Sequence, residues 1–541
     1  MYRDVTQLTA RTFDVLVVGG GVYGLTIAYD AAQRGLSVAL IERADFGSGA
    51  SFNHLRTIHG GLRYLQTLDI GRARESMRER RAIATIAPHA VRPLRFALPL
   101  HRSLTRGVTA MRGGFLLDRL IAFDRNRGVA ASHRLPPGRV VTGADLQRIE
   151  GLAQPGVRAA AVWYDYVTVE ADRLTFSFAL AAAEHGAVLA NHVEAVALIA
   201  EGPRVTGVRA RDLLGDGELE VAARVTVNAT GGAVDRLLEP IGAATNIPMM
   251  MAMNLVTRRT AGDTALGGRS SFGRNFFLVP WRGRSLFGTW ESGSRARAKD
   301  AEIAEADILS FVRELNEAFP SLALGLDDVT LVHRGQVPAA VGPGGLRLEG
   351  HEHVRDHSSD RSRNLEGLVS VVGAKYTTAR GVAERVTSRL LTKLHKPAVA
   401  CRTATTPLPG APADAGAAAG PPAAWRDNLP DDASRHLAGS YGSRCAEILA
   451  VCAEKPDLAT RLSDEGPVTG AEIAWAARHE MALTLADAVV RRTPLGALGY
   501  PGDRAVDRAA SIMASELRWT SDRRAVEIQN LRNFFARSRF G

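Results

Sequence analysis

The segment Gly19-Gly20-Gly21-Val22-Tyr23-Gly24 constrains this chain more than any other feature. It follows an unbroken apolar run, Phe13 to Val18, that reads as a parallel strand buried on both faces. A helical pattern runs from about Leu25 to Arg34, Gly35 stops it, and Ser37 to Glu42 is a second strand. Glycines spaced G-x-G-x-x-G between strand and helix allow a tight turn at Gly19, approach of a pyrophosphate to the backbone at Gly21, and close helix–sheet packing at Gly24. Val22 and Tyr23 open the helix, whose free N–H groups and partial positive charge suit phosphate. Glu42 ends the second strand about twenty residues on, where a carboxylate accepts from ribose hydroxyls. The pattern predicts a βαβ unit that binds a dinucleotide.

Two later segments bear on which dinucleotide. Val227-Asn228-Ala229-Thr230-Gly231-Gly232 runs a strand into a small-residue turn, suited to a second approach of backbone to cofactor. Val372-Gly373-Ala374-Lys375-Tyr376-Thr377-Thr378 repeats the design before a helix, whose N-terminus would support negative charge on the N1/O2 edge of a reduced flavin. Their co-occurrence with the early glycine turn points to FAD.

The expected fold class is α/β: a Rossmann-like FAD-binding domain with an inserted antiparallel β-rich substrate domain, plus a C-terminal all-α domain. Further strands are expected at Val188 to Val196, Val205 to Arg209, Arg224 to Asn228, Asn275 to Val279, Ser285 to Thr289 and Leu368 to Val372. Helices are expected at Asp172 to His185, Ala301 to Phe319 and Ala379 to Leu394. Residues 1–404 would form the oxidoreductase part. The Pro/Gly/Ala-rich stretch at 405–424 would be a linker. Residues 425–541 would be helical, as in Glu472 to Arg492 and Asp503 to Leu517.

A chain of 541 residues with 46% apolar and 23% charged residues can bury a large core. Its net charge of +10 is mostly arginine, since lysine occurs only at Lys299, Lys375, Lys393, Lys396 and Lys455. The arginines are scattered and no recognition module accompanies them, so no nucleic-acid partner is expected. Cys401, Cys445 and Cys452 have no metal-ligand spacing, and a reducing compartment fits. With no signal peptide and no bilayer-spanning apolar run, the expected location is cytoplasmic, or peripheral on the inner face of the cytoplasmic membrane. Leu104 to Phe123 alternates Arg106, Arg112 and Arg119 with apolar residues. It reads as an interfacial amphipathic helix or, in preference, an ordinary helix docked on the core.

The segment Ile58-His59-Gly60-Gly61-Leu62-Arg63-Tyr64-Leu65 resembles the signature of the FAD-dependent glycerol-3-phosphate dehydrogenases, within the D-amino-acid-oxidase-like flavoproteins. Ala87-Pro88-His89, Pro93 to Pro99, Asp172-Arg173-Leu174, Asn228 to Gly231, Val279-Pro280-Trp281, Arg355-Asp356, and Arg478 to Ala482 with Arg491-Arg492-Thr493 continue the likeness over nearly the whole chain. The resemblance implies oxidation of sn-glycerol 3-phosphate to dihydroxyacetone phosphate, with electrons passing through FAD to a quinone or similar acceptor. A homodimer is an open alternative. It implies catalytic roles for His59, Arg63, Tyr64, Arg355 and Lys375. It adds Arg43, Ser51, Gly60, Gly61, Leu62, Val193, Thr230, Gly231, Gly373, Lys375, Tyr376 and Thr377 to Gly19, Gly21, Val22, Tyr23, Gly24 and Glu42 around the cofactor. No metal is implied.

Three departures lie toward the substrate side. Val337 stands where the family carries a substrate-facing arginine, Trp290 replaces a small polar residue, and Ser51-Phe52-Asn53-His54-Leu55-Arg56 is bulkier than the family's serine run. An FAD-dependent oxidase or dehydrogenase of an amine, amino acid or non-phosphorylated hydroxy metabolite is therefore the alternative. A flavin-bearing scaffold without turnover is a third reading.

Overall fold

The computed structural model describes residues 1–540 apart from 102–106, 153–156, 216, 297–302, 343–344, 360–363 and 413–429. The early strand–turn–helix reading holds to within a few residues. β1 (Phe13–Val18) lies parallel between β2 (Val38–Ile41) and β10 (Glu218–Asn228). The first sheet runs β17 (His353–Asp356), β18 (Leu368–Val372), β10, β1, β2, β7 (Val188–Ala190). β17 pairs antiparallel with β18, while the others are parallel. β8 (Val193–Glu201) and β9 (Arg204–Asp212) extend from β10 as an antiparallel ribbon. The central strands are apolar and buried along their length because helices cover the sheet: α2 (Val22–Gln33), α6 (Ala171–Glu184) and α8 (Ala379–Lys393) share its core.

The second sheet runs β16 (Gly345–Leu348), β15 (Val329–Gly342), β11 (Met249–Thr257), β14 (Arg284–Glu291), β13 (Asn275–Trp281), β12 (Thr264–Arg269), β4 (Val91–Leu100), β6 (Ala159–Thr168), β3 (Thr57–Ile58), with β5 (Arg139–Thr142) on β6. All its pairings are antiparallel except β12 with β4. The chain shuttles between the sheets, so each contributes to one seam. α3 (Ile70–Ile86) and α4 (Val108–Ile121) follow β3, and α7 (Glu305–Ala318) backs the second sheet.

Two expected elements are interrupted. The run read as one strand from Val188 to Val196 splits at His192, which takes a left-handed backbone (φ 55°) and turns its ring to Asp487 (2.9 Å). The helix read over Glu472 to Arg492 ends at His479, where Met481 is left-handed (φ 52°) and Glu480 turns to Arg173. It resumes as one π-helical turn at Asp487–Arg492.

The described tail is helical at Asp431–Tyr441, Cys445–Glu454, Gly470–His479, Asp503–Leu517 and Ser521–Phe540. It packs on the second sheet in a cluster where Ile473, Val489 and Leu531 meet Phe96, Trp281 and Leu331. The expected linker at 405–424 falls largely outside the described residues. Its described start is fastened down, with Leu408 buried in the first core and donating its N–H to the Ile86 carbonyl (2.8 Å).

Candidate active site

The seam is built from loops at the carboxyl ends of β1, β2, β10 and β18, the side on which open parallel sheets hold ligands. At the glycine turn, a Cβ on Gly24 would sit 1.9 Å from the Gly19 carbonyl oxygen, so glycine here sets how closely α2 packs against the strand end. Gly21 caps α2 in an extended conformation, and the Val22 N–H donates to Ser51 Oγ (2.9 Å). Glu42 accepts from the N–H groups of Gly20 (2.6 Å) and Ala44 (2.8 Å). Burial pushes its carboxyl up despite those bonds. Its first task is thus to brace the turn, beyond the ribose contact expected of it. Arg43 beside it is exposed, and the Val193 N–H donates to the Glu42 carbonyl (2.8 Å).

Opposite this turn, Thr230 Oγ1 donates to Asn228 Oδ1 (2.7 Å) and Gly231 opens a helical turn with φ 59°. Across the seam, the half-buried Tyr23 donates its hydroxyl to the Lys375 carbonyl (2.9 Å). A Cβ on Gly373 would lie 2.3 Å from that hydroxyl oxygen. These close approaches leave backbone, not side chains, lining the cradle, and backbone amides with a braced carboxylate suit a pyrophosphate and a ribose. The residues present fit FAD.

The His59–Tyr64 segment enters the same seam from β3. The His59 N–H donates to Thr377 Oγ1 (3.2 Å), and the imidazole is half exposed. Gly61 is left-handed (φ 77°) and caps the turn Leu62–Thr67. The Lys375 ammonium lies 4.0 Å from the Tyr64 ring centroid, a cation–π approach that joins two residues distant in sequence. His59, Tyr64, Lys375 and Thr377 are therefore brought together. Arg63 shares the turn, but its side chain lies outside what is described. Arg355 stands on the edge strand opposite Ser370, with its guanidinium on the Ala244 carbonyl (3.3 Å). The Tyr376 hydroxyl engages Thr175 (2.9 Å) while its ring stacks on His54 (4.6 Å), so its side chain fastens α6 and the 51–56 loop.

Trp290 differs from expectation. It is buried with Met253, Phe287 and Phe311 under α7, so the indole is core and not a wall of the site. The bulky loop has an equally structural use. Arg56, fully buried, pairs with Asp172 (2.9 Å) and lies over the rings of Phe52 and Trp281. Sequence reasoning missed Thr57 and Asp165, which flank His59. Asp165 reaches His59 through the pairing of β6 with β3 and β4, which leaves no local signal in the sequence.

A protein-family model described as FAD dependent oxidoreductase matches residues 14–389, and one described as the C-terminal domain of alpha-glycerophosphate oxidase matches residues 401–524. Glycerol-3-phosphate dehydrogenase of Synechocystis sp. is 29% identical, over 98% of this chain and 98% of its own. Glycerol-3-phosphate dehydrogenase 2 of Mycobacterium tuberculosis is 32% identical, over 95% of this chain and 86% of its own. The solved glycerol-3-phosphate dehydrogenase of Bacillus halodurans, complexed with FAD, shares the fold with a TM-score of 0.71 at 22% identity, over 99% of this chain and 97% of that one.

Proposed function

The chain belongs to the FAD-dependent oxidoreductases, and on that premise we propose that it oxidises sn-glycerol 3-phosphate, or a close polyol phosphate, to dihydroxyacetone phosphate. The observation that carries this reading is the meeting of the His59–Tyr64 turn with Lys375 and Thr377 at the seam beside the dinucleotide cradle. FAD, when bound, supplies the acceptor for the hydride leaving C2. His59 takes the hydroxyl proton. Lys375 and Arg355 offer positive charge to the phosphate dianion, in place of the arginine that Val337 lacks. Tyr64 positions the Lys375 ammonium. Gly19, Gly21, Val22, Tyr23, Gly24, Glu42, Ser51, Thr230, Gly231 and Gly373 hold the cofactor. The division proposed is an oxidoreductase part (1–404), a linker (405–424) and a helical part (425–541); the first family match ends at residue 389 and the second, beginning at 401, runs through the proposed linker.

Electrons then leave to a quinone or similar acceptor at a membrane face. No helix among the described residues is long and apolar enough to cross a bilayer. The support for peripheral contact is α4, which docks through Met111 and Phe115 yet leaves Leu116 (62%) and Leu120 (67%) exposed, with Phe123 (79%) exposed just beyond its end. Arg112, Arg119 and Arg127 flank this row, and an open cleft of about 630 Å³ beside Phe123 is lined by Arg119, Arg125 and Arg127. Apolar side chains rimmed by arginine suit an anionic lipid surface. Flotation with vesicles of anionic phospholipid should carry the wild type and not L116S/L120S/F123S. A dimer that dissociates in that variant would instead assign the patch to a second copy of the chain.

The activity test is anaerobic. The purified yellow protein should bleach with glycerol 3-phosphate. Inertness to it, with rapid bleaching by an amino acid or unphosphorylated polyol, would transfer the assignment to that class.

A further inference from the structure

His59 is gripped from two sides by groups that the chemistry above leaves unused. Thr57 Oγ1 lies 2.6 Å from Nε2, and Asp165 Oδ2 lies 3.8 Å from Nδ1. The peptide after His59 is tied to the same acid, since the Gly60 N–H donates to Asp165 Oδ1 (2.7 Å). Asp165 projects from β6 and is almost fully buried. Its other partners are Arg80 of α3, in a buried ion pair, and the Trp163 indole N–H (3.1 Å). Burial alone would push the Asp165 carboxyl up, but Arg80 and His59 beside it hold it below its ordinary value. It is a carboxylate at neutral pH.

A carboxylate facing Nδ1 favours the tautomer protonated there and leaves the lone pair on Nε2. Phe96 lies 6.3 Å from the ring between centroids, and burial holds the neighbouring His54 well below its ordinary value, so among the described residues Asp165 is the negative charge paired with the ring. We infer that Asp165 is a positioning residue that aims Nε2 of His59 and stabilises the imidazolium formed when that nitrogen takes the substrate's hydroxyl proton. The inference rests on the proposed oxidation at C2. In that step the O–H bond breaks as N–H forms at Nε2, and C2–O becomes a carbonyl as the C2 hydride departs to the bound flavin. Thr57 Oγ1 fills the place at Nε2 that the substrate hydroxyl takes.

The test is anaerobic stopped-flow of flavin reduction across pH, with FAD-loaded wild type and D165N. Glycerol 3-phosphate is used, or whichever compound of a small polyol and amino-acid panel bleaches the wild type. A wrong substrate thus fails in the wild-type arm, and a wrong role for Asp165 fails only in the variants. If nothing bleaches the wild type, both fall. D165N should retain flavin yet be reduced about 100-fold more slowly near neutrality. The acid limb of its pH–rate profile should move down by about one pH unit, because a base stripped of its carboxylate holds a proton less well. D165N strands the buried Arg80 guanidinium, so D165N/R80Q is the second variant and its limb should move in the same direction. Limbs that stay in place in both variants, whatever the rates, would make Asp165 merely structural and overturn the inference.

Discussion

One methyl group at Gly24 would have to occupy space 1.9 Å from a carbonyl oxygen, and neither partner can yield because both belong to the strand–turn–helix backbone. Gly24→Ala should cost about 1–3 kcal/mol of stability, typical of overpacking. It should also displace the amides proposed to face the pyrophosphate. A fall in melting temperature with loss of the 450-nm flavin band on gel filtration is expected, whereas a stable yellow variant would refute the placement. Lys375 makes a different kind of prediction, since the proposed function assigns its charge to the ligand's phosphate. Lys375→Met removes one charged hydrogen bond, on the order of 1.5–3 kcal/mol, and should raise KM for glycerol 3-phosphate about 10- to 100-fold. The flavin should stay bound, and an unchanged KM would move the phosphate elsewhere.

Among elements, the helical tail is attached by buried charge. Arg492 is fully buried against Asp45 through two hydrogen bonds (2.6 and 2.7 Å), and Arg173 holds Glu480 (2.5 and 3.0 Å). Replacing one partner leaves the other charged and dry, so Arg492→Met should cost about 3–5 kcal/mol and expose the tail to limited proteolysis. The third tie titrates. Burial lowers His192, but Asp487 outweighs it and the imidazole is raised above 6.5, while Asp487 is lowered to about 2. A raised histidine stabilises the fold fully below 6.5, and that stability is lost as pH rises through the folded value. The depressed acid stabilises above 3.8 and loses its effect as pH falls, so the tie is strongest between 3.8 and 6.5. The melting temperature should drop from pH 6 to pH 8.5 more in the wild type than in H192N. The parallel strands, the glycine turn and the tail helices were legible because their signals are local: continuous apolar runs, a glycine spacing, a 3.6 period. β4 carries Pro93 and Pro99 and β11 is buried along its whole length, so neither shows a strand's alternation. Trp290 misled because composition cannot tell which face of a strand a side chain occupies. Asp165 escaped because only the pairing of β6 with β3 and β4 brings it to His59.

Across the whole molecule, the cradle is assembled from the β1–α2 turn, the ends of β10 and β18, and the segment leading from the second sheet, all packed on one core. Asp45, three residues beyond Glu42, ties the same region to the tail through Arg492. A ligand held there binds only when this core is folded and the tail is docked on it, so its binding energy is returned as stability of the whole chain. Free FAD at 100 times its Kd contributes about 2.7 kcal/mol. Spread over the unfolding entropy of a chain of 541 residues, at about 2.1 cal/mol/K per residue, that amounts to a rise of about 2–3 °C in melting temperature. Scanning calorimetry of apo and FAD-saturated protein should show one transition that moves by this amount. Two transitions, with the tail's melting temperature indifferent to FAD, would mean that the buried ion pairs do not couple the tail to the cradle.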